Sequence, residues 1–237
     1  MKSLIKYIIP LLLIGIIAMG NVMYEPAKRP LAFVQEFKPS VAILNNGQLN
    51  NIKERGKPLF NGDTLRTNQN GFALVQFMDK SLAKVKPNSR LIVRGEVEDK
   101  ESTSTQIGLE LGEIYLNVSE QGSDDFEIAT GTSVATVKGT EFGATANDYF
   151  WVKEGEVEVT VGHTGETVTL TDRSYGQVQE DGTIEKGELS EEQIEQRDEE
   201  YARINEQTDP EIYEVRFING NGQERVIELK VFENDNQ

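Results

Sequence analysis

The chain has no cysteine and a single histidine, His163, among its 237 residues. The first absence excludes disulfides, cysteine-ligated zinc and a thiol nucleophile. The second leaves too few imidazoles for a histidine-based metal site. Basic residues are scarce too, with 24 Lys and Arg against 40 Asp and Glu and a formal net charge of −16. A surface of that sign repels nucleic-acid phosphates and anionic headgroups, so nucleic acid is not an expected partner. Tryptophan occurs once, at Trp151. Long amphipathic helical stripes are missing from the centre of the chain, which argues against a helical bundle.

What the chain has instead is period-two alternation. Ala73, Val75 and Phe77 form one face of a strand, and Leu91 with Val93 another. Leu109 and Leu111, then Ile114, Leu116 and Val118, continue the pattern across a turn at Gly112. Phe126 with Ile128, Val157 with Val159 and Val161, and Val168 with Leu170 complete it. Short alternating runs bounded by Gly, Asn and Asp indicate an all-β domain, either a sandwich or a stacked, solenoid-like coil. An internal echo, Gly112-Glu113-Ile114-Tyr115-Leu116-Asn117-Val118 against Gly155-Glu156-Val157-Glu158-Val159-Thr160-Val161, favours stacking without reaching the several copies a repeat fold shows.

The ends differ in character. Lys2 and Lys6 precede an uncharged run from Tyr7 to Tyr24, the pattern of an export signal. Two readings stay open for residues 1–24. The run is just long enough for a membrane anchor, and Ala18-Met19-Gly20 also offers the small residues of a cleavage site before Asn21. Residues 25–40, with Pro26, Pro30 and Pro39 among charges, read as a linker, and 41–180 as the β domain. Residues 181–237 read as an acidic helix and a C-terminal hairpin. Ser190-Glu191-Glu192-Gln193 has the form of a capping box, and Ile194, Tyr201 and Ile204 give a thin apolar stripe. Tyr213, Val215 and Phe217, the turn Asn219-Gly220-Asn221-Gly222, and Ile227, Leu229 and Val231 spell the hairpin, which must pack on the main domain to be stable.

The order of the segments resembles a known family. Gly62-Asp63-Thr64-Leu65, Ala73 to Ser81, Leu109 to Leu116, Phe126 to Thr130 and above all Val137-Lys138-Gly139-Thr140-Glu141-Phe142 are similar to the FecR-type domain, an all-β extracytoplasmic module. Asp79-Lys80-Ser81 departs from the family's Asp-Gly-Ser turn, and Thr130-Gly131 from its Thr-Pro. The best-known members are membrane-spanning regulators of sigma factors. The six residues before the apolar run suggest a stand-alone form lacking the anti-sigma segment.

Catalytic signals are weak. His163 sits between Gly162 and Thr164-Gly165 and reads as a surface turn residue. Asp124-Asp125, Asp172 and Asp181-Gly182 read as turn chemistry, and no segment matches a calcium loop. Gly131-Thr132-Ser133 and Val137 to Thr140 lack the spacing of a phosphate loop. On Tyr149-Phe150-Trp151, alternation puts Tyr149 and Trp151 on one face and Phe150 on the other. Packing of that face beneath the C-terminal hairpin is the bland expectation. A partner contact by Tyr149, Trp151 and Tyr201 is the sharper one. No cofactor, metal or catalytic residue is expected.

The leading expectation is therefore a non-enzymatic cell-envelope module that binds an envelope protein or polysaccharide. It would be exported, with residues 7–24 holding it in the membrane if they are retained. The alternative is an accessory in signalling between an outer-membrane transporter and a sigma-factor system, and a glycan-active enzyme is the second alternative.

Overall fold

Apolar side chains on alternate strand positions meet in one core between two large sheets, as the period-two pattern predicts. The computed structural model describes residues 29–38, 40–97, 103–120, 126–202, 210–218 and 222–232. The export run 7–24, Asp124-Asp125, Ile204, Asp209 and the turn residues Asn219 to Asn221 lie outside the described residues.

The chain opens with β1 (Ala32–Lys38), β2 (Val41–Asn45), β3 (Gln48–Asn51), β4 (Lys57–Leu59) and β5 (Thr64–Thr67). Next come β6 (Phe72–Phe77), β7 (Leu82–Val85), β8 (Arg90–Val97), β9 (Thr103–Leu111) and β10 (Glu113–Asn117). They are followed by β11 (Phe126–Ala129), β12 (Ser133–Val137), β13 (Glu141–Thr145) and β14 (Tyr149–Glu154). The domain closes with β15 (Val157–Val161), β16 (Thr167–Leu170), β17 (Ser174–Val178) and β18 (Ile184–Glu188). Helix α1 (Glu191–Ala202) and the hairpin β19 (Pro210–Ile218) with β20 (Glu224–Phe232) end the described chain.

One nine-stranded sheet runs β18-β17-β14-β13-β10-β7-β6-β1-β4 and the other β16-β15-β12-β11-β9-β8-β5-β2-β3. From β6 onward the chain lays short hairpins or single strands on alternate sheets, so the two architectures expected from sequence coincide. The molecule is a sandwich whose strands are laid down as a stack. Phe77 on β6 meets Phe126 on β11 edge to face, with ring centroids 5.2 Å apart, and ties the layers together. The echoed segments mark corners where the chain changes sheet. Gly112 and Gly155 take φ of +84° and +101° there, and a Cβ on Gly112 would come within 2.1 Å of Ser89 Oγ.

Three expectations need correction. Residues 32–38, read as linker, form β1, a buried strand between β6 and β4. Leu31-Ala32-Phe33-Val34 is covered on both faces and therefore shows no alternation to read. The sheet also extends past residue 180 through β18, whose one large apolar residue, Ile184, gave no strand pattern. Leu111 does not continue the inward face of Leu109. A register shift beside Arg90 and Leu91 turns it outward, 52% exposed.

The Asp79-Lys80-Ser81 segment is a tight turn with lysine in the left-handed conformation. Lys80 takes φ +74°, and Asp79 accepts from the Ser81 N–H at 2.8 Å and its hydroxyl at 2.9 Å. The C-terminal hairpin forms its own two-stranded sheet with Val215 opposite Ile227. It packs by those two side chains on Phe33 and Met78, without pairing to the main sheets.

Candidate functional site

The outer face of the first sheet carries a row of rings. On β10, Ile114 and Leu116 enter the core while Tyr115 points away, and on β14 Phe150 and Val152 enter it while Tyr149 and Trp151 point away. Strand register places Lys84, Tyr115, Gly143, Trp151, Tyr175 and Gly187 side by side across six strands. Gly143 is what lets the indole lie along the sheet, since a Cβ there would come within 2.3 Å of the ring. Tyr115 and Trp151 stack at 5.3 Å and 20° as a result.

Helix α1 covers this row. Its start is the capping box the sequence predicts, with Gln193 N–H donating to Ser190 Oγ at 3.2 Å and Ser190 N–H to Gln193 Oε1 at 2.9 Å. Twelve residues with six acids and one base make a helix too short and too like-charged to stand alone in water. Docking supplies the stability. Tyr201 stacks on Tyr115 at 4.3 Å, and the Arg197 guanidinium sits 4.5 Å from the centre of the Trp151 ring. Tyr201 donates its hydroxyl to Glu113 at 2.8 Å.

Cations from the sheet ring the contact. Lys86 meets Glu200 at 2.6 Å, Lys153 meets Asp198 at 2.8 Å and Arg173 meets Glu191 at 2.7 Å. Lys84 Nζ donates to the backbone carbonyl of Tyr201 at 3.1 Å, supplying at the helix C-terminus the positive charge its last turn lacks. Partly exposed pairs of this kind are individually weak, about 0.2–1 kcal/mol each. Burial pushes Tyr115 and Tyr201 well above the ordinary phenol range, with Glu141 and Glu113 adding to the effect. Burial would lower Lys86 and Lys153. Hydrogen bonds to Glu200 and Glu113, and to Asp198 and Glu141, outweigh it and hold both above the usual lysine value. Lys84, with no carboxylate at contact distance among the described residues, is lowered by burial against the pull of Glu141.

The three aromatics singled out as partner contacts thus come together. Trp151 and Tyr201 are 1% and 2% exposed and Tyr149 is half-buried, because the element they contact is the chain's own helix. The hairpin expected above them sits elsewhere, on Phe33. Sequence reading missed Tyr115, Lys84, Lys86, Lys153 and Arg197. The signal for the strand members was available, since Lys84 and Tyr115 alternate with the core residues Ala83, Val85, Ile114 and Leu116. One polar atom of this aromatic row stays unmatched. The indole Nε1 of Trp151, over Gly143, has no hydrogen-bond partner among the described residues.

The other sequence motifs resolve into architecture. Val137 and Phe142 both enter the core, Gly139 takes φ +58°, and Thr140 Oγ1 lies 2.9 Å from the Glu156 carbonyl and 3.0 Å from that of Lys138. That segment pins one change of sheet to the next. A groove of about 250 Å³ opens beside it, lined by Asn117, Ser119, Glu120, Thr140, Glu141 and Glu154. Glu141 is engaged there by the Tyr115 hydroxyl and by Lys153 at 3.5 Å. Among the described residues no group of three or more His, Cys, Asp or Glu is arranged to hold a metal ion. None of the described helices is long and apolar enough to cross a membrane. His163 is an exposed turn residue between β15 and β16.

Residues 63–163 match the family model described as FecR protein, so this part of the chain is similar to FecR-type domains. No curated protein matches the chain. Two crystal structures of a candidate anti-sigma factor from Parabacteroides distasonis ATCC 8503 are similar. The one at 2.50 Å has 18% identity and a TM-score of 0.48, covering 56% of this chain and 62% of its own. The one at 1.65 Å has 18% identity and a TM-score of 0.47, covering 63% and 79%. The chain therefore spans under two thirds of the first of these structures.

Proposed function

We infer that this protein is a FecR-type β scaffold of the cell envelope whose work is protein contact in a signalling system, without catalysis of its own. The carrying observation is the match of residues 63–163 to the FecR protein family, whose best-known members regulate sigma factors across a membrane. The placement of the helix-bearing face supports it. Lys84, Lys86, Tyr115, Gly143, Trp151 and Lys153 all lie inside the matched segment, and α1 lies outside it. The FecR-type domain thus offers a surface built to receive a helix. Lys2, Lys6 and the uncharged run from Tyr7 to Tyr24 favour export of the domain.

Cross-linking of the full chain in intact envelopes, followed by affinity capture and mass spectrometry, tests this reading. The expected product is a membrane protein of the transporter or sigma-regulator class. Recovery of polysaccharide alone, or hydrolysis of envelope glycan by the purified chain, would overturn it in favour of a glycan-directed role.

A further inference from the structure

The face beneath α1 carries cations against the overall sign of the chain. The protein carries a net −16, yet Lys84, Lys86, Lys153 and Arg173 border the Tyr115–Trp151 row and each holds a group of α1. Glu113 and Glu141 share the face, engaged by Lys86 and Tyr201 and by Tyr115 and Lys153. That leaves four cations against two carboxylates around the stacked rings, which suits an acidic helix with one aromatic side chain. That is a description of α1, with Tyr201 as the ring and Glu191, Asp198 and Glu200 as the acids.

Helix α1 is nonetheless an imperfect occupant. Of its described side chains only Ile194 and Tyr201 are buried, so stacking and charge hold it more than apolar area does. It also leaves the Trp151 indole N–H without an acceptor at a residue that is almost wholly buried. A segment that placed a carboxylate or amide oxygen over that nitrogen would satisfy a donor that α1 does not. A short helix held this way exchanges with a competitor of the same chemistry when the competitor binds the open face better.

We propose that α1 is a resident, exchangeable ligand of the Tyr115–Trp151 face, and that this face takes up in its place an acidic, aromatic-bearing helical segment of a partner protein. The proposal deepens the signalling reading by naming the chemistry of the partner, and takes only its biological setting from that reading. Failure to capture an envelope protein would leave helix exchange measurable on the purified chain. Absence of exchange would leave the captured partner standing.

The experiment uses the full chain in detergent and a fluorescent peptide of residues 188–202, followed by anisotropy. An Ile194→Ala/Arg197→Ala variant, which loosens α1 but keeps the receiving face, should bind the peptide about 10- to 100-fold more tightly than the unmodified chain. Adding Lys84→Glu and Lys86→Glu should abolish that gain, and a peptide with its acids replaced by lysine should not bind. Equal affinity of the unmodified and loosened chains, or equal binding of the lysine peptide, overturns the proposal. If the loosened variant loses its β signal in circular dichroism, hydrogen exchange of the unmodified chain decides. Amides of α1 exchanging many-fold faster than those of β10 and β14 sustain the proposal, and equal protection overturns it.

Discussion

Arg197 lies with its guanidinium carbon 4.5 Å above the ring of Trp151, so the helix's one cation rests on the chain's one indole. The same side chain reaches the Tyr149 hydroxyl at 3.3 Å. Arginine suits this place because a planar, weakly hydrated cation can stack and donate at once.

Arg197→Ala should therefore loosen α1 without unfolding the sheets. A desolvated cation–π contact is worth about 1–2 kcal/mol, a large share of what a twelve-residue helix can gain by docking. Tryptophan emission reports on Trp151 alone, so it should shift to the red while the cooperative melting of the β signal stays nearly in place. Proteolysis within α1 should accelerate in parallel. Arg197→Lys should fall between, since a compact ammonium keeps the charge and loses the stacking.

Gly143→Ala tests the packing beneath. Its Cβ would fall within 2.3 Å of Trp151, whose ring cannot move down into the sheet and must lift toward Tyr201. Overpacking of this kind costs about 1–3 kcal/mol, read as a lower urea midpoint with altered tryptophan emission. Gly131→Ala is the matched control. A Cβ there meets nothing nearer than 4.0 Å, and stability should change by less than about 0.5 kcal/mol.

These two sites show what could be read from the sequence and what could not. Phe150 and Trp151 were separable onto opposite faces because alternation is a local property of a strand, and the capping box at Ser190 was legible for the same reason. Which element covers Trp151 was not local. The hairpin was the expectation, and the helix takes its place because Lys86, just after β7, and Lys153 on β14 meet the acids of α1 across long separations. Gly143 gave no sign of its role, because a glycine's value as empty space exists only once a ring from the neighbouring strand lies over it. β1 was hidden for the converse reason, as burial on both sides erases alternation.

Lys80 carries backbone strain that glycine would relieve. With φ at +74° its Cβ crowds the backbone, a cost of about 1 kcal/mol for a non-glycine residue. Lys80→Gly should raise stability by about that amount, equivalent to ~2–4 °C in melting temperature for a domain of this size. Differential scanning calorimetry checks it. Lys80→Ala, which removes the charge and keeps the strain, should show no such gain.

Alkaline pH should release the helix before it unfolds the sandwich. Tyr115 and Tyr201 have folded values raised above their ordinary 10.0, chiefly by burial. The fold therefore holds the neutral phenols, and their contribution is complete below about pH 10 and declines as pH rises beyond it. Lys86 and Lys153 are raised above 10.5 because hydrogen bonds to Glu200, Glu113, Asp198 and Glu141 outweigh burial. Their contribution is present below that value and is lost as pH rises through the higher folded one. Lys84 has the opposite sign. Burial lowers it, so it costs stability at neutral pH and that cost fades toward pH 10.5. The raised groups outnumber it, so docking should be flat with pH up to about 9 and weaken above about 10. Proteolytic cleavage within α1 across this range is the readout. Tyr115→Phe with Tyr201→Phe should leave only the smaller, lysine-dependent loss, and an unchanged profile in that variant would show that phenol ionisation does not govern docking.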